Sequence, residues 1–159
     1  MKNSLLLIFA CTFLLFLEDN ALACTCLPSK SVAQEVGIRS AVFSGKVIEI
    51  KRHDRTAELF ERVEVIFEVD KSWKGVDKRI VSVFTSSGSA SCGYGFKKGR
   101  TYLVYAGGSL QRRLTTGICS RTKRLNKARE DLRVLGAGKE IVQMEYGAPA
   151  PNNSFNRSE

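Results

Sequence analysis

The clearest candidates for chemistry in this chain are two cysteines one residue apart, Cys24 and Cys26, in the segment LACTCLPS. A thiolate can attack an electrophile or bind a metal, and two thiols can join in a disulfide. The pair lacks the two-residue spacing of the usual redox motif. The role of these cysteines therefore depends on the compartment to which the chain is targeted and on the other cysteines with which they can pair.

The first residues of the chain have the pattern of a secretory signal peptide. Lys2 precedes an apolar run over residues 5–17, and residues 21–23, Ala-Leu-Ala, supply the small side chains at alternating positions that a signal peptidase reads. The run is too short to span a bilayer comfortably. We therefore predict a signal peptide over residues 1–23, no transmembrane segment, and a secreted protein, extracellular or periplasmic, that begins at Cys24. Lipid attachment to Cys24 is the rival interpretation, and the order Ala-Leu-Ala fits ordinary cleavage better.

Four cysteines remain once Cys11 is removed with the signal peptide. An even number of cysteines in an exported chain predicts two disulfides, and four cysteines allow three pairings. A bond between Cys24 and Cys26 would close a very tight ring, so we expect each of them to reach Cys92 or Cys119. Both bridges would then clamp the N-terminus onto the body of the domain.

The chain is strongly basic. It has 25 basic and 16 acidic side chains, a formal charge of +9, and removal of Lys2 with the two acids of the signal peptide leaves +10. A basic surface suits polyanions such as nucleic acid or heparin-like sugars, whereas charge that only keeps a secreted protein in solution is the alternative. The residues that would form a basic face are Lys97, Lys98, Arg100, Arg112, Arg113, Arg121 and Arg124.

The residue types that support catalysis are scarce in this chain. His53 is the only histidine, and its charged surroundings, residues 51–56, indicate an ordinary exposed side chain rather than a general base. The cysteines are better explained as disulfides than as nucleophiles, and no cysteine and histidine cluster could complete a structural zinc site. We therefore expect no enzymatic activity and no cofactor.

The elements that must position these residues are mostly strands. The apolar residues Val63, Val65, Phe67 and Val69 alternate with Glu64, Ile66 and Glu68, which predicts a long half-buried strand. Gly45 inside an apolar run predicts a bulge or a sharp bend. Ser31 and Gln34 have the spacing of a capping box, which predicts a short helix. The predicted strands are 41–51, 63–69, 79–85, 101–106 and 110–119, and the predicted helices are 32–39 and 127–135, the second one ending at Gly136.

Five strands broken by glycines, with a short helix near each end, predict a mainly β, five-stranded, disulfide-bonded barrel of the OB-fold type. We expect this single domain to span residues 24–146. The tail, residues 147–159, has two prolines and mostly polar side chains, which predicts disorder.

Several motifs resemble one family when they are taken together. The mature start CTCLP, residues 24–28, is similar to the N-terminus of the tissue inhibitors of metalloproteinases, which belong to the netrin-like group of OB-fold modules. The likeness covers nearly all of residues 24–136. Its other motifs are FSGKV at 43–47, WKG at 73–75, CGY at 92–94, YLVYA at 102–106 and LTT at 114–116.

The resemblance implies a pairing of the cysteines and a mode of action. It pairs Cys24 with Cys92 and Cys26 with Cys119. It makes the α-amine and the carbonyl oxygen of Cys24 the ligands of the catalytic zinc in a target metalloprotease, and it directs Thr25 into the pocket beside that zinc. The further protease contacts that it implies are Cys26, Leu27, Pro28, Ala90 and Ser91.

Two functions of different classes follow from these patterns. The first is a monomeric, secreted inhibitor of zinc metalloendopeptidases that acts through Cys24. The second is a netrin-like module that inhibits nothing and uses its basic face to bind polyanions or another protein. A family's fold does not by itself decide between them.

Overall fold

The strands of this protein form where apolar side chains, many of them β-branched or aromatic, alternate with polar ones. A computed structural model of the protein describes residues 24–27, 30–53, 62–87 and 91–141. The predicted signal peptide and tail, together with Pro28 and Ala90, lie outside the described residues.

The described residues contain seven strands, two short helices and one 3-10 turn. The strands are β1 (Ala41–His53), β2 (Arg62–Lys74), β3 (Ile80–Ser86), β4 (Thr101–Ser109), β5 (Arg113–Thr115), β6 (Lys123–Arg124) and β7 (Lys139–Glu140). The helices are α1 (Val32–Ile38) and α2 (Arg129–Leu135), and the 3-10 turn spans Leu125–Lys127.

Five of the strands close into a barrel in the order β1, β2, β3, β5, β4 and back to β1. The pair β3 and β5 is parallel, and the other neighbours in the barrel are antiparallel. The short strands β6 and β7 add to β4 and β2. This topology confirms the predicted fold class, a mainly β, disulfide-bonded barrel of the OB-fold type.

The inside of the barrel is filled by one face of each long strand. On β2 the residues Val63, Val65, Phe67 and Val69 are buried, as their alternation predicts. The ring of Phe67 meets that of Phe43 edge to face, with 5.5 Å between the ring centroids. Burial of such side chains supplies the main driving force for folding.

The predicted irregularity at Gly45 is present in β1. The register between β1 and β2 shifts between Ser44 and Gly45. A Cβ at Gly45 would lie 2.9 Å from the carbonyl oxygen of Glu68, so the two strands approach more closely here than a side chain allows. The resulting bend helps β1 to pair with both β2 and β4, which closes the barrel.

The two helices cover a second, smaller core on the outside of the barrel. Val42, Leu103 and Tyr105 on the strands pack there with Ala128 and with half-buried side chains of both helices. The helix α1 has the predicted capping box, in which the Gln34 N–H donates to Ser31 Oγ and the Ser31 N–H donates to Gln34 Oε1.

Several element boundaries differ from those that the sequence predicts. The strands predicted to end at residues 69 and 106 continue to Lys74 and Ser109. The helix predicted over 127–135 begins at Arg129, because residues 125–127 form a 3-10 turn first, while its end at Gly136 is as predicted. The strand predicted over 110–119 is limited to β5, Arg113–Thr115. Beyond it the chain turns at Gly117 to meet the loop that carries Cys92, and this tertiary contact overrides the local strand pattern.

In the ranges that the structure covers, no helix combines the length and the apolar character needed to cross a membrane.

Candidate functional site

Two disulfides anchor the first residues after the predicted cleavage point. Cys24 bonds to Cys92 with 5.6 Å between their Cα atoms, and Cys26 bonds to Cys119 with 5.2 Å. The pairing that the family resemblance implies is therefore confirmed. Since the bridges span 68 and 93 residues of sequence, each ties the N-terminal segment to a distant part of the barrel.

The two anchor points on the barrel are themselves in contact. The Ile118 N–H donates to the carbonyl oxygen of Cys92 at 3.0 Å, one residue before Cys119. Gly117 lies against the same carbonyl, where a Cβ would be only 2.6 Å from the oxygen. A side chain at this position would push the two segments apart. The N-terminal segment is thus bonded to one joined platform rather than to two independent loops.

The loop after Cys92 is held against the mouth of the barrel. The Tyr94 N–H donates to Thr85 Oγ1 at 2.8 Å, and the Lys97 N–H donates to the Tyr102 hydroxyl at 2.9 Å. The rings of Tyr94 and Phe96 lie 4.6 Å apart, and the ring of Phe96 lies 4.9 Å from that of Tyr102. Burial among these rings raises the pKa of Tyr94. The side of the platform that faces the barrel is therefore well packed.

The N-terminal segment that the two disulfides hold is largely exposed. We call residues Cys24, Thr25, Cys26 and Leu27, together with Ser91 and Cys92, the N-terminal ridge. Thr25, Cys26 and Leu27 are exposed, and Leu27 is 86% exposed although its side chain is apolar. Ser91 is half-buried, and its hydroxyl donates to the Ser87 carbonyl at 3.4 Å. A single exposed apolar side chain is ordinary on a protein surface, so what distinguishes Leu27 is the doubly anchored segment that carries it.

Ile118 adjoins the ridge through its backbone, and its side chain lines a cleft with Tyr94 and Phe96. The sequence patterns did not single it out. Its side chain is 42% exposed, and its backbone bonds to Cys92 on the ridge. The signal that could have found it is its position between a tightly packed glycine, Gly117, and a disulfide cysteine, Cys119. Residues beside a cross-link are held in place, so an apolar side chain there is preorganised for contact.

A buried charge network supports the segment that follows the ridge. Asp131 on α2 accepts hydrogen bonds from Arg121, from Lys123 and from the hydroxyl of Tyr105, each at 2.9 Å. Burial acts to raise the pKa of Asp131, but the hydrogen bonds from Arg121, Lys123 and Tyr105 outweigh it and hold the pKa at about 2. Burial and the bond to Asp131 raise the pKa of the Tyr105 hydroxyl.

Arg121 connects this network to Lys30, just before α1. Its guanidinium also donates to the carbonyl oxygen of Lys30 at 2.9 Å. Because Lys30 directly precedes the cap residue of α1, this bond ties the start of α1 to the network. Arg121, which the sequence suggested as part of a basic face, is thus occupied in an internal contact. No local pattern around Asp131 predicts this role.

The other predicted basic residues divide between the two ends of β4. Arg100 and Arg124 line one cleft of about 440 Å³, and Lys97 and Lys98 are exposed in the turn that precedes Arg100. The remaining two, Arg112 and Arg113, lie in and just after the turn beyond the far end of the strand. A nine-residue strand separates the two groups by roughly 25 Å.

His53 and the acidic residues do not gather into a metal site. His53 is exposed, and its Nε2 lies 3.1 Å from the Glu64 carboxylate at the ends of β1 and β2. Among the residues that the structure describes, no three histidines, cysteines or acids are placed to hold a metal ion together.

A scan against protein-family models finds no matching family, and a search of curated proteins finds no match. The family resemblance therefore rests on the motifs of the sequence.

Proposed function

We propose that this protein is a secreted inhibitor of zinc metalloendopeptidases that resembles the tissue inhibitors of metalloproteinases. The observation that supports the proposal most is the N-terminal ridge. Two disulfides fasten the C-x-C segment to a single platform, while Thr25 and Leu27 stay exposed on it. This arrangement is what a protein needs if its first residue is to enter the active site of another protein.

The chemistry of the first residue fits a zinc target. Cleavage after residue 23 creates an α-amine on Cys24, and this nitrogen with the carbonyl oxygen of the same residue can close a five-membered ring around a metal. A catalytic zinc keeps one coordination position open for such ligands. The α-amine, with an ordinary pKa of ~7.7–8.0, loses its proton readily when a metal competes for it.

The anchoring lowers the entropic cost of binding. A flexible terminus would lose backbone freedom worth roughly 1–2 kcal/mol for each residue that becomes ordered. In the ridge, both cysteines are already cross-linked, and the two anchor points share the hydrogen bond between Ile118 and Cys92. Most of the ordering cost is therefore met on folding, which favours tight binding. Thr25, between the two bridges, would reach the pocket beside the zinc and set selectivity.

The decisive experiment compares two forms of the mature protein against zinc metalloendopeptidases. One form begins at Cys24, as verified by mass spectrometry, and the other carries a single alanine before Cys24. The extra residue converts the amine into an amide and removes one zinc ligand, so we expect inhibition to fall by more than the roughly 10–100-fold that changes around metal ligands cost. Equal inhibition by the two forms would rule out chelation, and so would a lipid on Cys24.

The control variant is Thr25→Ala, which leaves the amine and both disulfides in place. Its inhibition constants should change unevenly across several metalloendopeptidases, because only the side chain in the specificity pocket is altered. A uniform loss as large as that of the extended form would argue against separate roles for Cys24 and Thr25.

Polyanion binding is the second candidate, and we rank it lower. Its strongest support is the cleft between Arg100 and Arg124. The predicted basic residues are not continuous along β4, and Arg121 is occupied by Asp131 and Lys30. Binding of a heparin fragment that weakens steeply with salt and is lost on replacement of Arg100 and Arg124 would favour this function.

A further inference from the structure

One edge of β3 is covered over only part of its length. Along its first edge β3 pairs with β2 over all seven residues, Ile80–Ser86. Along its second edge it pairs with β5 at Val83 and Phe84 alone, and residues 80–82 have no neighbouring strand on that side within the described part of the chain. This leaves a gap in the wall of the barrel.

The backbone of β3 presents hydrogen-bonding groups to the gap. The Val69 N–H donates to the Arg79 carbonyl. In an antiparallel pair, every second residue turns its backbone N–H and C=O toward the same neighbouring strand. The backbone groups of residues 79, 81, 83 and 85 therefore face β2, and those of residues 80, 82 and 84 face the opposite edge. The Thr116 N–H donates to the Phe84 carbonyl at 2.9 Å, which agrees with this alternation. The N–H groups of Ile80 and Ser82 and the carbonyl of Ile80 therefore face the gap.

The gap opens into a groove of about 800 Å³ between the first half of β3 and the turn from β4 to β5. We call it the β3 groove. Ile80 on one side is 51% exposed and Leu110 on the other is 48% exposed, although both are large and apolar. Leu110 closes one end against Gly75, where a Cβ would lie 3.3 Å from its Cδ1 atom. The volume is in the range of known ligand sites.

The rim of the β3 groove is positively charged. Lys78 and Arg112 are exposed on it, and Arg113 lies with its guanidinium carbon 4.8 Å from the centre of the Phe84 ring. Asp77 is the one acidic residue in the described lining. Three cations around an apolar floor complement a ligand that carries negative charge and apolar groups together.

We propose that the β3 groove binds an extended acidic segment of a partner protein as an added strand. The backbone of the segment would bond to Ile80 and Ser82, as strands do when they join an uncovered sheet edge. Alternate side chains of a strand point to opposite sides, so apolar residues of the segment would contact Ile80 and Leu110 while its carboxylates reach the cations of the rim. A sulfated sugar would use the cations but not the backbone edge or the apolar floor.

The groove is separate from the N-terminal ridge. Ile80 begins β3, whereas the ridge is held near its other end through the bond from Tyr94 to Thr85. Seven residues of strand place the two sites roughly 20 Å apart. The two sites share no residue, so the proposal does not depend on the proposed inhibitory function.

The test uses an acetylated, amidated peptide of alternating aspartate and isoleucine as the probe, with the mature protein labelled for NMR. We expect the amide resonances of Ile80 and Ser82 to shift and their hydrogen exchange to slow. Two methylated peptides are compared, one with methyl groups on the backbone nitrogens of its aspartates and the other on those of its isoleucines. Only one of these sets of N–H groups faces β3, so one peptide should lose binding and the other should keep it. The same loss for both peptides, or no loss for either, would exclude an added strand.

Matched protein variants test the charges. Lys78→Glu with Arg112→Glu should weaken the peptide at least tenfold, more at low salt, whereas Arg129→Glu with Arg133→Glu on α2 makes the same change in net charge and should leave binding unaltered. Equal weakening by both pairs would refute a specific groove. Binding of a heparin fragment to the same resonances with no response to the acidic peptide would refute the proposed ligand class.

Discussion

Replacing Asp131 by asparagine tests the charge network that joins α2 to the barrel, because the amide keeps the shape of the side chain and removes its charge. The side chain is only 1% exposed. Burial acts to raise its pKa, and the hydrogen bonds from Arg121, Lys123 and Tyr105 outweigh burial and bring the pKa to about 2, against an ordinary value of 3.8. A pKa that folding lowers stabilises the folded state once the carboxyl is ionised in the unfolded chain.

The size of the effect follows from these two pKa values. One pKa unit corresponds to about 1.4 kcal/mol, so the lowered pKa of Asp131 is worth roughly 2 kcal/mol at pH 7. This contribution is almost complete above about pH 4.5, and it is lost as the pH falls through the pKa of the folded state. It should be roughly halved at pH 3 and reduced to a small fraction at pH 2.

Urea unfolding of the native protein and of Asp131→Asn at pH 7, 3 and 2 measures this dependence. At pH 7 the free energy of unfolding should fall by roughly 2 kcal/mol, which corresponds to roughly 5–10 °C in Tm. The difference between the two proteins should then shrink toward pH 2. The control is Asp77→Asn, which alters an exposed carboxylate in the turn after β2. It should hardly change the free energy of unfolding at any of the three pH values. A deficit of Asp131→Asn that stays constant with pH, or one matched by the control, would refute the reasoning.

Two further predictions concern the platform under the N-terminal ridge. Gly117→Ala should destabilise the protein by roughly 1–3 kcal/mol in thermal unfolding, because its Cβ would lie 2.6 Å from a carbonyl oxygen, whereas Gly95→Ala meets nothing within 4 Å and should be tolerated. Similar Tm values for the two variants would contradict this packing. Replacing Cys26 and Cys119 together by serine should cost about 3.6 kcal/mol in urea unfolding, since the bridge at Cys24 already shortens the unfolded loop to about 30 residues. A loss below about 1 kcal/mol would show that the second bridge adds little.

Much of the local structure could be predicted from the sequence, because short-range patterns decide it. The alternation from Val63 to Val69 indicates which face of β2 is buried, and the spacing of Ser31 and Gln34 sets the start of α1. Gly45 marks the bend in β1. In each case the physical cause lies within a few residues: the pleat of a strand, the donors at a helix terminus, and the missing side chain of glycine.

The candidate site could be predicted only in part. The C-x-C segment stands out at the predicted cleavage point, and the count of cysteines indicates two disulfides, but the count alone allows three pairings. Ile118, whose backbone adjoins the ridge, could not be identified from its residue type. The sequence pattern indicates that Asp131 is one of several charges on a surface helix and that Arg121 belongs to a basic patch. In the structure the two side chains form an ion pair in the interior.

The sequence by itself determined the signal-like start, the strand and helix patterns, the cysteine inventory and the excess of positive charge. The tertiary structure decided which cysteines meet, that β1 closes on β4, that Arg121 pairs with Asp131, and that no strand among the described residues covers the first half of β3. The physical reason is the distance along the chain over which each interaction acts. Secondary-structure propensity and hydrophobic periodicity depend on residues that are close in sequence. These four outcomes depend instead on which distant segments pack together, and on the buried hydrogen-bonding groups and charges that must then find partners.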